Sequence, residues 1–169
     1  MNIIFAPHPD DKIIGCYEVL DRSDCLVVYT TAVPSERLEE AKMLASIMPN
    51  HIIKFKIGMS QLEDVIVPLL QEDIEIESLY FPDPYWELHP EHRDLGSVGY
   101  RIWKNSTRGK GFDIIFYSTN MNSPYIHELS NADKVRKEYL LNTAYMSQKD
   151  LWMYEKKYVF FEGRVKYMR

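Results

Sequence analysis

Short apolar runs alternate with stretches of helical period along almost the whole chain, and this alternation most constrains what it can fold into. Ile3 to Ala6, Leu26 to Thr31, His51 to Ile57, Ser78 to Phe81, Asp113 to Ser118 and Tyr158 to Phe161 read as strands. Leu38, Ala41, Leu44, Ala45 and Met48 recur on one helical face, as do Leu95, Val98 and Ile102. Ser60 with Glu63 forms a capping-box pair ahead of Leu62, Val65, Ile66, Leu69 and Leu70. Ser130 with Asp133 forms another, predicting a helix through Val135, Tyr139 and Leu140 toward Met146. Strands separated by helices build a parallel sheet covered on both faces. The β-branched run Leu26 to Thr31 suits its interior. The expected fold class is α/β, a three-layer α/β/α sandwich with a mostly parallel sheet of about six strands.

Composition removes several classes of function. A chain of 169 residues is read as one domain, 1–169, and a hydrophobic share of 46% supplies a sizeable core. The formal charge of −5 argues against a nucleic-acid surface. The polar, basic stretch from Asn105 to Gly111, with Arg108 and Lys110 beside Lys104, reads as a solvated connector. Cys16 and Cys25 have neither metal-ligand nor disulfide-framework spacing, so buried free thiols in a reducing cytoplasm are expected. No apolar run approaches the roughly 18 residues of a membrane span. The start of the sequence reads as a strand rather than a signal peptide. These features predict a soluble, cytoplasmic protein with no membrane span, and they leave a homo-oligomer open.

Chemistry concentrates in two segments. His8-Pro9-Asp10-Asp11 lies between the first strand and the helix carrying Ile13 and Ile14. His89-Pro90-Glu91-His92 follows the fourth strand, and together the two hold three of the five histidines. Asp11 as a helix N-cap accounts for the first segment alone, but capping turns do not explain both. Loops at the carboxyl ends of a doubly wound sheet can meet over its crevice. There His8, Asp11 and His92 would be a two-histidine, one-carboxylate set for Zn2+ or another divalent metal, with a fourth position open to water. Zinc brings the pKa of such a water toward ~7, and Asp10 is placed to take its proton as general base. His89 could stabilise an oxyanion or protonate a leaving amine. Glu91 could orient one of the imidazoles from behind.

These residues resemble the zinc-dependent N-acetylglucosaminyl-phosphatidylinositol deacetylase-like family, which includes the LmbE-like proteins. The resemblance rests on Pro7-His8-Pro9-Asp10-Asp11 with Gly15-Cys16, and on His89-Pro90-Glu91-His92-Arg93. Arg37 with Glu40, Asp83 ahead of the second block, and Ser147-Gln148 add weaker echoes in the same order. It implies a single Rossmann-like, LmbE-like deacetylase domain. The implied reaction removes an N-acetyl group from a small-molecule GlcNAc-type sugar or sugar conjugate. It also implies metal ligands His8, Asp11 and His92, the base Asp10, the acid or oxyanion-stabilising His89 and a substrate-contacting Arg37. Glu91 and Asp83 would support the site from behind.

Three departures stand against that pattern. Lys12 replaces the family's usual Glu, Glu91 replaces an Asp, and the chain is shorter than many members. An unpaired cation beside a dication is strongly disfavoured, so Lys12 is predicted to point to solvent or to a carboxylate away from the metal. Lys12 also motivates a different class of function, a catalytically altered metal- or sugar-binding member. A metallohydrolase acting on another small amide or ester would use the same site. A nucleotide-binding module is disfavoured because the first turn lacks Gly-x-Gly-x-x-Gly.

Overall fold

The first strand, β1 (Asn2–Ala6), is buried at all its positions. The computed structural model describes residues 1–30, 34–48, 51–54, 62, 75–105, 111–154 and 156–167. After β1 come α1 (Asp11–Arg22), β2 (Cys25–Tyr29), α2 (Ser35–Ile47), β3 (His51–Lys54), β4 (Ser78–Pro82) and α3 (Pro90–Asn105). Then follow β5 (Asp113–Ser118), β6 (Ile126–Glu128), α4 (Asn131–Ala144), a 3-10 turn (Met146–Gln148), α5 (Lys149–Tyr154), α6 (Lys157–Phe160) and β7 (Phe161–Val165). Among the described residues the strands form one sheet of seven in the order β3-β2-β1-β4-β5-β7-β6. The first five pair in parallel, and β7 is antiparallel to both β5 and β6.

The chain runs outward from β1 to β3 and then resumes on the other side of β1 at β4. That reversal makes the β1/β4 boundary a topological switch point, where a crevice opens at the carboxyl ends of the two strands. Side-chain alternation along β1 feeds two cores. Ile4 and Ala6 join residues of α1, α2 and α4 on one face, while Ile3 and Phe5 join Leu95 and Val98 of α3 on the other. The result is a Rossmann-like three-layer α/β/α sandwich. No helix among the described residues is long and apolar enough to cross a membrane.

Close packing fixes α3 over the crevice. A Cβ on Gly96 would lie 2.4 Å from the Pro82 carbonyl oxygen, and one on Gly99 would lie 2.4 Å from the Phe81 ring. Only glycine lets the helix approach β4 this closely. Phe81 stacks on Phe5 at 4.5 Å between centroids, tying β4 to β1 beneath the helix.

The helix α1 is broken at Cys16, whose φ of −137° and ψ of 26° are not helical. Buried side chains bond the backbone groups around the break. Lys137 donates to the Ile14 carbonyl at 2.8 Å and to that of Phe161 at 2.9 Å. The Glu18 amide donates to Glu162 at 3.3 Å. Burial holds the Lys137 amine at about 8, against the raising influence of Glu162. A further tie joins α2 to the 3-10 turn, where the amide and hydroxyl of Ser147 donate to the buried Glu40 carboxylate at 2.6 and 2.8 Å.

One expectation is corrected here. The run Tyr158 to Phe161 is not the last strand: Lys157–Phe160 is a helical turn and the strand is Phe161–Val165. A four-residue apolar run suits either state, and the true strand is disguised by Glu162 and Arg164, whose charges find partners in Lys137 and Glu18. The seven strands among the described residues agree with the expected sheet of about six, the three-residue β6 being too short to stand out in the sequence. The helix α4 begins as its capping box predicts, with Ser130 Oγ accepting from the Asp133 amide. It runs through Val135, Tyr139 and Leu140 as expected, and its buried face carries Lys137, Leu140, Leu141 and Ala144, with Val135 and Tyr139 exposed. The helix expected after Ser60 lies outside the described residues, except for Leu62, which is fully buried. Residues 55–57 and 106–110 also lie outside them.

Candidate metal centre

The turn after β1 aims its side chains inward through backbone bonding. The Ile13 and Ile14 amides both donate to the Asp10 carbonyl, which starts α1. Asp10, the residue before the helix, makes no side-chain cap. Asp11 instead accepts the His8 amide through Oδ2 at 2.7 Å, so its carboxylate turns back over the loop. On the other wall, the loop after β4 is folded by Asp83. Its carboxylate accepts the amides of Tyr85 and Trp86 and, at 2.8 Å, the hydroxyl of Tyr167. Pro90 then opens α3, a position where its missing N–H costs nothing. His92 falls in the first helical turn, almost wholly buried.

The two walls bring three candidate ligand atoms together. His8 Nδ1 lies 3.2 Å from His92 Nε2, and Asp11 Oδ2 lies 3.2 and 3.1 Å from those two atoms. A tetrahedral ion bonded to nitrogen and oxygen at ~2.0–2.1 Å spaces its ligands by about 3.3 Å. The triangle therefore has the size of one face of such a coordination shell, and its two-nitrogen, one-oxygen donor set suits a zinc-like ion. The remaining ring nitrogens are each held by a carboxylate. His8 Nε2 is 2.7 Å from Glu91 Oε2, and His92 Nδ1 is 3.0 Å from Glu87 Oε2. Such carboxylates fix the tautomer and make the imidazole a better donor. Glu87 is itself immobilised by the amide and hydroxyl of Thr119, at the end of β5.

Charge coupling inside this group is strong. Burial would lower the His92 pKa, but Asp11 and Glu87 outweigh it and leave it raised to about 10. Burial would raise Asp11, and the two histidines overcome that to hold it well below the usual carboxylate range. His8 is raised by Asp11 against the effect of its own burial. Asp10 moves the other way: burial and the neighbouring Asp11 push it up, opposed by Arg37.

Around the triangle, Arg37 from α2 donates to Asp10 Oδ1 in an ion pair. Arg37 Nε is buried with no hydrogen-bond partner among the described residues. His89 is half-exposed at the mouth, its ring 5.0 Å from that of His8 and 5.1 Å from that of His92. Lys12 corrects an expectation. Its ammonium reaches neither solvent nor a carboxylate but is fully buried, donating to the Pro9 carbonyl at 2.7 Å, to the Tyr145 hydroxyl at 2.8 Å and to the Tyr29 hydroxyl. Desolvation drives its pKa well below that of an ordinary amine, although Asp10 and Asp11 act in the opposite sense.

No protein-family model matches the chain, and no solved structure matches it. A stretch of 55 residues is 36% identical to part of an "HD protein homolog" from Dictyostelium discoideum, covering 32% of this chain and 2% of that protein. A segment that small is silent on the crevice between β1 and β4.

Two further groups of side chains come within ligand distance of one another among the described residues. His8, His89 and Glu91 form a more exposed set that shares His8. Glu18, His127 and Glu162 form the other, well away from the crevice, and Arg164 and Lys137 already neutralise its carboxylates. His127 there pairs with Glu18 at 3.1 Å. Sequence reasoning missed Glu87 and Thr119. One signal was available: a ligand histidine needs a carboxylate behind it, and Glu87 is the acid lying between Asp83 and the second block. Asp83 bonds neither His8 nor His92; it shapes the loop on which Glu87 sits, its carbonyl accepting the Glu87 amide at 3.2 Å.

Proposed function

We propose that the chain is a divalent-metal-dependent hydrolase, with zinc the best-suited ion, that removes the N-acetyl group from a GlcNAc-type sugar or sugar conjugate. The observation that carries the reading is the triangle of His8 Nδ1, Asp11 Oδ2 and His92 Nε2, with a carboxylate behind each imidazole. An ion held there would supply Lewis acidity toward a carbonyl and a coordinated water acidic near pH ~7. Asp10 accepts the proton of the attacking water; burial and Asp11 push its pKa up, which strengthens it as a base. His89, exposed at the mouth, donates a proton to the departing amine. Arg37 contacts the sugar through Nε, a buried donor with no described protein partner. Glu87 and Glu91 keep both imidazoles in the donor tautomer. The N-acetyl sugar as substrate rests on the two sequence blocks, and the cytoplasmic setting on the two free, buried thiols, Cys16 and Cys25.

The test is amine release from a panel of N-acetyl sugars by zinc-loaded protein, with a chelated control. Release that vanishes on chelation and returns with metal is expected. The Arg37–Asp10 pair favours a second reading, a catalytically altered metal-binding member, because it occupies one oxygen of the base. Stoichiometric metal with no amine released from any member of the panel would select that reading.

A further inference from the structure

The first turn of the site contains a polar group that the helix does not satisfy. Both Ile13 and Ile14 amides go to the Asp10 carbonyl, so the buried Pro9 carbonyl is left outside the helical pattern. A buried carbonyl needs a partner, and Pro9 receives two from side chains: Lys12 Nζ at 2.7 Å and Tyr145 Oη at 2.6 Å. Lys12 is held in turn by Tyr145 and Tyr29, at the ends of α4 and β2, and its ammonium lies 4.7 Å from the centroid of the Tyr29 ring. The peptide unit directly ahead of Asp10 and Asp11 is thereby pinned to two other elements of the fold.

We infer that Lys12, anchored by Tyr29 and Tyr145, is a positioning residue for the metal centre, fixing through the Pro9 carbonyl the direction in which the Asp10 and Asp11 carboxylates leave the turn. The inference rests on the reading of His8, Asp11 and His92 as metal ligands. A buried cation near a dication site, acting by charge alone, repels the ion, and its removal would tighten binding. A post that aims a ligand acts oppositely: removing such outer support typically weakens metal binding by about 10–100-fold.

Lys12→Met separates the two, since it keeps length and apolar bulk while removing the charge and the donors. Co2+ and Zn2+ affinities are measured together with the visible absorption of the Co2+ form, which reports the ligand arrangement rather than overall folding. The expected result is Co2+ binding weakened at least about 10-fold, with an altered spectrum, in a protein whose circular dichroism matches the wild type. Tyr145→Phe, which removes one donor from Pro9 and one anchor from Lys12, should shift affinity and spectrum in the same direction by less. It also keeps the question decidable if Lys12→Met does not fold. Unchanged or tighter Co2+ binding in a folded Lys12→Met, or an unchanged spectrum and affinity in Tyr145→Phe, overturns the inference. Co2+ binding that Asp11→Asn abolishes but these variants leave intact would sink the positioning role alone. A wild-type chain that binds no Co2+ would overturn the metal reading together with it.

Discussion

Glu87 Oε2 lies 3.0 Å from His92 Nδ1, and both side chains are buried. The same carboxylate takes the amide and hydroxyl of Thr119, so it fixes His92 to the end of β5. Glu87→Ala leaves the Thr119 amide unpaired and frees the imidazole to rotate. Zinc affinity should fall about 10–100-fold, with Glu87→Gln between that variant and the wild type. Competition against a chromophoric chelator measures it, and an unchanged affinity in Glu87→Ala would contradict the orienting role.

The pH response follows from His92. In protein stripped of metal, its pKa is raised from 6.5 to about 10, chiefly by Asp11 and Glu87 against burial. A raised folded-state pKa contributes stability that is full below pH 6.5 and is lost as pH rises through about 10. Metal binding requires the neutral imidazole, so in the same window protons compete less and the ion stabilises more. The gap in Tm between loaded and stripped protein should therefore widen from pH 6.5 toward 10. Calorimetric titration near pH 7 should also register proton release on metal binding, scaling with the ionisation enthalpy of the buffer. A gap that narrows with pH would reverse the assignment.

The sequence made the five parallel strands readable because Ile3 to Ala6, Leu26 to Tyr29 and Ile114 to Tyr117 are apolar where both faces of a sheet are covered. The last strand escaped because Glu162 is both charged and fully buried, which periodicity reads as surface. Its partners, Glu18 and Lys137, stand 144 and 25 positions away in the chain. The triangle of candidate ligands was legible because all three residues sit in two short blocks beside strand ends. Glu87 and Lys12 were not, for a common reason: each owes its role to an element distant in sequence, Thr119 for one and Tyr145 for the other. Lys12 in particular was expected outside, and only the convergence of two hydroxyls and a carbonyl makes its burial tolerable.

The break in α1 gives a stability prediction independent of metal. Lys137→Met removes the donor to the Ile14 and Phe161 carbonyls and leaves Glu162 with Arg164 as its remaining cation, at 3.7 Å. The buried Ile14 carbonyl left without this donor and a weakened buried pair together cost about 3 kcal/mol or more. Urea unfolding of stripped protein measures this, and a loss below about 1 kcal/mol would mean that water replaces the ammonium.

Asp10 and Asp11 are neighbours whose carboxylates go to different partners, and substitution should separate them. Asp11 Oδ2 lies 3.2 and 3.1 Å from the facing nitrogens of His8 and His92. Asp10 pairs instead with Arg37. Asp11→Asn removes the only anionic donor of the triangle and should abolish stoichiometric zinc along with amine release. Asp10→Asn keeps all three donor atoms and should retain zinc while lowering amine release by on the order of 10²–10⁴, the usual contribution of a positioned base. Because Asp10→Asn also releases Arg37, the variant should be paired with Arg37→Met. If Arg37 holds the sugar, Arg37→Met raises KM more than it lowers kcat, whereas Asp10→Asn acts on kcat. Zinc content by atomic absorption and amine release on one accepted N-acetyl sugar decide the assignment. Turnover within a few-fold of wild type in Asp10→Asn would move the base to Glu91 or His89.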